Sequence, residues 1–594
     1  MNRVSVDTAG RPPSVDALAR ELSLRHSLPH ALLVDFARRA IANSAANKKS
    51  SAAEQAEQLA TDFTQSLLRD VINATGVLLH TNLGRAPMAM QTSNRASNLE
   101  LNMATGERGS RQSTVGKLLA LLCGAESAIV VNNNAAAVLL VVAALANSRD
   151  VAVSRGESVE IGGNFRIPEV TEQSGARLVD VGTTNRTRLR DYKKAIDRRG
   201  NDIALVLKVH PSNYRVSGFV EDTPVRELAT LPVPVAVDIG SGLIDNTCPW
   251  LESRAPSWLS NEPAARQTIN DGAALVMFSG DKLFGGPQCG VIAGRADLIE
   301  ACAQHPLARA LRPGSTTMLA MQTLAMAYLD RTATKEIAFW KMATIATADL
   351  RSRAEKIVGA AKIGAVCALD SIPGAGSAPG ATIDSFGIVI NGDHLTKLRM
   401  NETPIIARVK DNKTFLDLRT IQPDDDEIVV RALQRLANIE YFSPASLKRT
   451  TRTITPRKVF EDSGRWYVAA DDHLSGEDRV FRVDRIEKLV GIQIFDQLRD
   501  VRDDELPWFS ESLQQVKLRV QKQARWIVES YPYVSRVDNK DGSVDLTMSI
   551  TSKHWLGRLL LRAGNGVKVL KPVEYRQLAS QTAQSVLLRY KKTA

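Results

Sequence analysis

The segment Phe278-Ser-Gly-Asp-Lys282-Leu-Phe-Gly-Gly286 places one lysine in a small, turn-prone group at the end of an apolar run, Ala273 to Phe278. A run of that length reads as a buried strand. A lysine fixed on rigid backbone can hold an aldehyde as a Schiff base. The Ser279 hydroxyl and free backbone N–H groups can bind a phosphate beside it. Glycines after the lysine let a bulky group approach the main chain closely. Together these are the requirements of a pyridoxal 5'-phosphate site. A Gly-Asp-Lys in a surface turn would look the same, so the assignment needs partners.

The partners lie upstream. Val233-Pro-Val-Ala-Val237 reads as another buried strand, ending at Asp238. A carboxylate there can pair with a protonated pyridine nitrogen and keep the ring cationic; an Asx turn at a strand end is the plainer use of the same residue. Val130-Val-Asn-Asn-Asn-Ala-Ala-Ala137 runs from a strand into an apolar helix, so the N–H groups around Asn134 and Ala135 can cradle a phosphate. Lys208-Val-His-Pro-Ser-Asn213-Tyr214 puts His210 and Asn213 beyond the strand Ile203 to Leu207. Ligands of open α/β sheets bind outside the carboxyl ends of the strands. Four strand ends carrying polar groups therefore point to one pocket.

The elements that must position these groups alternate. From Phe63 to Glu300, short apolar strands at Ala128–Val131, Asp150–Val153, Arg177–Val181, Ala204–Lys208, Val233–Asp238, Ala274–Phe278 and Gly290–Ala293 are separated by helical stretches. That pattern predicts an α/β fold with a mainly parallel sheet covered on both faces. Helix-like spacing over Ser14 to Ala42 predicts a small N-terminal helical domain (1–62), and Asn43 to Glu57 reads as a linker or exposed helix. A large domain (63–300) and a smaller α+β domain (301–437) follow. The latter is predicted to open at the Gly/Pro loop Ser371–Gly380 and to close with a helix Glu427–Leu436.

These segments resemble bacterial selenocysteine synthases, the L-seryl-tRNA(Sec) selenium transferases. The resemblance rests on Ile72-Asn-Ala-Thr-Gly-Val-Leu-Leu-His-Thr-Asn-Leu-Gly-Arg85, Gly106-Glu-Arg-Gly-Ser-Arg111, the Asn-Asn-Asn-Ala-Ala-Ala run, Ser154 to Gly163, Val181 to Thr187 and Ser279-Gly-Asp-Lys282, within about Arg11 to Ala437. It implies a fold-type I pyridoxal phosphate enzyme, assembled as a ring of dimers. Such an enzyme converts seryl-tRNA(Sec) to selenocysteinyl-tRNA(Sec) with selenophosphate through a cofactor-bound aminoacrylyl intermediate. Lys282, Asp238 and Asp281 would be catalytic. The N-terminal domain would help to hold tRNA. Arg85, Arg108, Arg111, Arg309 and Arg312 would meet anionic substrate, since guanidinium forks bind oxyanions in bidentate fashion. Pro313-Gly-Ser315 stands where the family usually carries an Asp-Lys segment. That departure keeps open a second reading, a lyase acting on a small amino acid or amino-sugar phosphate.

Composition fits a large cytoplasmic enzyme. The chain has 594 residues and 44% hydrophobic content, ample for several packed domains. Its longest apolar run, Ala135 to Ala146, is too short to span a bilayer, and no apolar leader opens the sequence. The five cysteines are scattered without metal-ligand spacing, which suits a reducing compartment and predicts no metal site. Cys289 could be a reactive thiol or a buried structural one.

Near Asn438 the character changes. The remainder holds 27 Lys and Arg against 20 Asp and Glu, and four of the seven tryptophans. Thr451–Pro456, Arg465–Asp472 and Arg479–Ile486 resemble the WYL domain of bacterial regulators, here at 438–500, and 501–594 resembles the extension that often follows it. Such domains usually sit behind a DNA-binding motif, so a third reading is a ligand- or nucleic-acid-sensing regulator fused to an enzyme-like body. Val480 to Asp484 alternates like a half-buried strand. Arg452, Arg479, Arg482 and Arg485, beside Trp466 and Tyr467, could form a basic, aromatic-lined surface for a nucleic acid or nucleotide. Arginines snorkelling on a solvated sheet are the ordinary alternative.

Overall fold

A computed structural model describes residues 14–46, 51–88, 95–161, 165–374, 376–434, 437–443, 448–462, 465–472, 477–490, 514–530, 533–550 and 553–590. The chain divides into two compact units between Val71 and Ile72. The first is a three-helix unit: α1 (Val15–Ser23), α2 (His30–Ala46) and α3 (Ala52–Ser66). Ser14 caps α1 by accepting from Ala17 N at 3.2 Å, and Ser51 with Glu54 forms a capping box on α3. Leu18, Leu22, Leu33 and Phe36 pack against the alanines of α3. The stretch Asn43 to Glu57 supplies the end of α2 and the start of α3, with 47–50 outside the described residues. Helix α3 also runs past residue 62, because Leu59 and Phe63 still face this core.

In the second unit, strands β1 (Ser127–Val131), β2 (Asp150–Ser154), β3 (Arg177–Val181), β4 (Ile203–Val209), β5 (Val235–Gly240), β6 (Leu275–Ser279) and β7 (Gly290–Gly294) form one sheet in the order β1-β7-β6-β5-β4-β2-β3. Only β7 runs antiparallel to its neighbours. Runs such as Leu205-Val-Leu207 and Val276-Met-Phe278 are wholly buried because helices cover both faces. Helix α4 (Asn134–Ala146) covers one of them, and its apolar residues pack with Val153, Leu207 and Ile292. The order brings the ends of β1, β4, β5 and β6 to one edge of the sheet.

The domain boundary expected at residue 300 is corrected. A helix, Ala296–Gln304, crosses it, and Met318, Tyr328 and Trp340 share a core with Phe278 and Phe284. The smaller domain is built around Leu350, Ile357, Ile388, Leu416 and Leu433 together with Ile72. Its strands Ala365–Gly374, Ile383–Asn391 and Lys413–Asp417 are antiparallel, and Val77–Leu79 adds to one edge in parallel. Ser371 to Gly374 is thus strand rather than loop, held by pairing with Ile383 and with Val77–Leu79.

A five-stranded antiparallel sheet follows over 437–490, and its small core holds Ile454, Ala470 and Phe481. The boundary expected near residue 500 lies outside the described residues. The last piece pairs β8 (Gln515–Val520), β9 (Ser535–Asp538), β10 (Val544–Ser549) and β11 (Val567–Lys571) in the order β9-β10-β8-β11. Among the described residues, no helix is long and apolar enough to cross a membrane.

Candidate active site

Lys282 occupies a turn pinned at both ends. Gly280 N donates to Cys289 O at 2.9 Å, Leu283 N to Ser241 O at 2.8 Å, and Gly285 N to Lys282 O at 2.8 Å. Gly280 is required there, because a Cβ would lie 2.4 Å from Cys289 Sγ. Cys289 is itself fully buried against Met321, and burial pushes its thiol well up, so the structural reading of that cysteine holds. The lysine is only 6% exposed. Burial drives its proton affinity below that of an ordinary lysine; nearby Arg85 acts the same way, against Asp238, Asp281 and Glu262.

Asp238, 2% exposed at the end of β5, accepts from Asn134 Nδ2 at 2.8 Å and from Gly240 N at 2.9 Å through the same oxygen. Burial raises its pKa, while Asn134, Lys282, Gly240 and His210 favour the charged form. Asn134 opens α4, whose N-cap Asn133 accepts from Ala136 N at 2.8 Å. The first-turn N–H groups, Ala135 among them, have no partner within a helix. His210 N donates to Asp238 O at 2.8 Å, and the ring Nε2 lies 3.7 Å from Glu262 Oε1. Ser279 closes β6, buried. Asn213 is exposed; its neighbour Ser212 is the buried one, with its hydroxyl facing Gly240 from the same side as Lys282.

The remaining wall comes from residues that sequence reasoning missed. Gly376, at φ +82°, approaches so closely that a Cβ would meet Lys282 Nζ at 2.8 Å. Glu262 Oε2 accepts from Ala378 N at 2.9 Å and so ties this loop of the small domain down. Ser212 and Ser241 stood beside the motifs already singled out, whereas Glu262 lies in Ser-Asn-Glu-Pro, which carries no signal.

Arg85 Nε, Asn134 Oδ1, His210 Nε2, Ser212 Oγ, Ser241 Oγ, Glu262 Oε1 and Ser377 Oγ are buried without a hydrogen-bond partner. Buried orphans of this kind are rare and costly, and here they converge around one lysine. A polar ligand carrying acceptors, a hydroxyl and a ring nitrogen would satisfy them. These residues therefore fit pyridoxal phosphate. Among the described residues, no group of three or more His, Cys, Asp or Glu is placed to hold a metal ion.

The arginines separate into three groups. Arg85, at φ +61°, donates to Asp281 Oδ2 at 2.6 Å. Arg108, Arg111 and Arg312 converge on Glu100, at 3.0, 2.7 and 3.3 Å. Hydrogen bonding from Arg111, then the charges of all three, holds the Glu100 carboxyl below its usual range. Arg111 Nη1 also donates to Pro313 O at 2.7 Å, so the altered turn still brings Arg312 beside Arg111. Arg309 is exposed and makes no ion pair with a described residue.

A second ionic cluster lies at the ends of β2 and β4, with Glu157 and Lys208 largely buried and Asp222 exposed. Lys208 Nζ contacts Glu157 at 3.1 Å and both Asp222 oxygens at 2.6 and 2.7 Å. Burial pushes Glu157 up to about 7 against the pull of Lys208.

In the 437–490 sheet Arg482 faces away from Arg479, as alternation along a strand requires, and the even spacing that would put Arg485 on the side of Arg479 does not run that far. The strand ends at Arg482, and Val483–Arg485 is a single 3-10 turn, so alternation stops there. Register puts Arg479 opposite Ala470 and Arg482 opposite Tyr467, on opposite faces. Arg452 and Arg479 both engage the buried carboxylate of Asp472, and Arg482 Nε donates to Asp484 at 3.0 Å. Trp466 is 54% exposed.

Comparison with known proteins agrees with this division. The WYL domain model matches residues 431–490 and the WCX domain model residues 512–587. Over 397 residues the chain is 44% identical to an L-seryl-tRNA(Sec) selenium transferase of Moorella thermoacetica, covering 62% of this chain and 82% of that protein. The corresponding protein of Carboxydothermus hydrogenoformans is 41% identical over 391 residues, 62% of this chain and 82% of that one. Among solved structures, D-glucosaminate-6-phosphate ammonia-lyase aligns over 63% of this chain and 96% of that chain, with TM-score 0.43 and 22% identity. The family model described as L-seryl-tRNA selenium transferase matches residues 71–422, the span that holds the whole of the lysine site, and the chain belongs to that family.

Proposed function

We propose that this protein converts L-seryl-tRNA(Sec) to L-selenocysteinyl-tRNA(Sec), with selenophosphate as donor and pyridoxal phosphate held at Lys282. The observation that carries the reading is the buried lysine, its proton affinity lowered by burial, beside Asp238 among unpartnered polar atoms. Pyridoxal phosphate, when bound, would supply an electron sink for the substrate's α-carbon.

This chain's own residues would do the rest. Asp238, oriented by Asn134, would hold a proton on the ring nitrogen. The α4 N-terminus and Ser279 would bind the phosphate. Lys282 Nζ, its proton affinity lowered by burial, would take the α-proton of the seryl group. Loss of the β-hydroxyl needs a proton, and the ammonium form of Lys282 would give it that one, so that water departs. The proton that later restores the α-carbon would come from the selenium donor by way of Lys282, and hydrolysis of the Se–P bond would release phosphate. Arg111 and Arg312 would draw the anionic donor toward the β-carbon, trading Glu100 for its oxyanion. Gly376 and its loop would shut water out over Nζ.

Purified protein incubated with seryl-tRNA(Sec) and selenophosphate should release selenocysteinyl-tRNA. Free serine and phosphorylated amino sugars are the controls. Turnover of those small substrates, with none on seryl-tRNA, would overturn the reading in favour of a lyase.

A further inference from the structure

The last domain carries charge that its own packing does not need. Along β8, Val516, Leu518 and Val520 are buried toward the helices Lys553–Ala563 and Leu578–Tyr590, while Lys517 and Arg519 alternate to the outer face. Register places Lys568 of β11 directly opposite Arg519 and, across a shift in register between Lys517 and Leu518, pairs Lys571 with Lys517. Cross-strand partners have Cβ atoms about 5 Å apart, and like charges at that spacing destabilise a sheet. Here two like-charge pairs follow one another on the same two strands.

Two of the four cations feel the Asp545 carboxylate, Arg519 through hydrogen bonds and Lys517 through its charge alone. Arg519 donates to Asp545 at 2.7 and 2.9 Å. Lys517, Lys568 and Lys571 make no ion pair with a described residue, and Lys568 and Lys571 are exposed. Strand β11 is the sheet edge, so the face is open at its most basic side. The rest of the face offers Gln515, Thr547 and Ser549, with Val537 the one exposed large apolar side chain, on the far strand. A surface so poor in apolar contact and so rich in unpaired ammonium groups matches a polyanionic backbone.

We infer that this sheet face binds the phosphate backbone of the tRNA on which the enzyme acts; the identity of the RNA rests on the function proposed above. The two cation rows would lie along consecutive phosphates, and occupancy would remove the cross-strand repulsion.

The test uses the full-length protein carrying Lys517→Gln, Lys568→Gln and Lys571→Gln together. Binding of tRNA(Sec) is measured by filter retention across a salt series. The slope of log affinity against log salt should become shallower by about 2 to 3, since each lost phosphate contact removes roughly one unit. Affinity at low salt should fall at least about tenfold, and the triple Lys→Arg protein should behave like the parent. Circular dichroism and the melting temperature of the Gln variant, free of repulsion, should not decline. An unchanged slope and affinity would overturn the inference while leaving the proposed function standing. A parent protein that binds no tRNA would overturn both. Loss of binding to duplex DNA alone, with tRNA binding intact, would also overturn it.

Discussion

Asn134 Nδ2 donates to Asp238 Oδ1 at 2.8 Å, joining the start of a helix on one side of the sheet to the end of β5. The same oxygen accepts from Gly240 N, so the other carboxylate oxygen is left to face the site. The two residues lie far apart in sequence, and the strand order alone brings them together.

That relationship sets the first prediction. Lys282→Ala should abolish turnover and the visible absorbance band of lysine-linked cofactor, and borohydride should no longer fix the cofactor to the chain. Asp238→Asn should retain the cofactor but lower kcat at least about a hundredfold, since an unpaired buried charge costs about 3 kcal/mol or more. Full activity in either variant would refute the assigned roles.

The arginines around Glu100 give the second. Arg312→Ala and Arg111→Ala should each raise KM for the selenium donor about tenfold or more, because a charge-assisted bond worth about 1.5–3 kcal/mol is removed. KM for seryl-tRNA should stay near its parent value. If both constants moved together, the cluster would belong to the tRNA site instead.

Gly376→Ala is the third. Its Cβ would fall 2.8 Å from Lys282 Nζ at a backbone angle that L-residues rarely adopt. The variant should keep its melting temperature within a few degrees and lose kcat, as judged by single-turnover kinetics. A normal rate would show that the loop does not roof the lysine.

The fourth concerns pH. Glu157 rises from 4.5 to about 7 through burial, while Lys208, against its own burial, is held above the ordinary lysine range by the Glu157 and Asp222 carboxylates. A carboxyl with a raised folded-state pKa gives stability that is complete at low pH and is lost as pH climbs through about 7. The loss should reach on the order of 3 kcal/mol by pH 8. Glu157→Gln should flatten that part of the urea-midpoint profile between pH 5 and 8. An unaltered profile would mean the carboxyl is ionised throughout.

Much of the sheet was legible because its strands are buried on both faces and read as unbroken apolar runs, as at Leu205–Leu207 and Val276–Phe278. Lys282 and Asp238 were legible as candidates because Asp238 ends such a run and Lys282 sits in the turn just past one. Ser212 was displaced by one residue to Asn213, since local sequence cannot say which member of a polar turn faces inward. Glu262 and Gly376 were invisible because what places them is contact across the chain, with Ala378 and with Lys282. The boundary at residue 300 failed for a related reason: the helix Ser315–Leu329 is equally apolar whichever core it joins.

The fifth prediction follows from the N-terminal unit. Removal of Met1–Arg69, which ends beyond α3, should weaken tRNA(Sec) affinity and spare the cofactor band. Equal tRNA affinity with and without the segment would assign it to packing alone.

The tie between Glu262 and Ala378 has a consequence for the lysine. While it holds, Gly376 lies over Lys282, so Nζ is walled by backbone of the small domain as well as by the ends of the sheet. Part of the burial that lowers the lysine's proton affinity therefore comes from a loop anchored outside the sheet, and one hydrogen bond that the lysine itself does not make helps to set the chemistry of its amine.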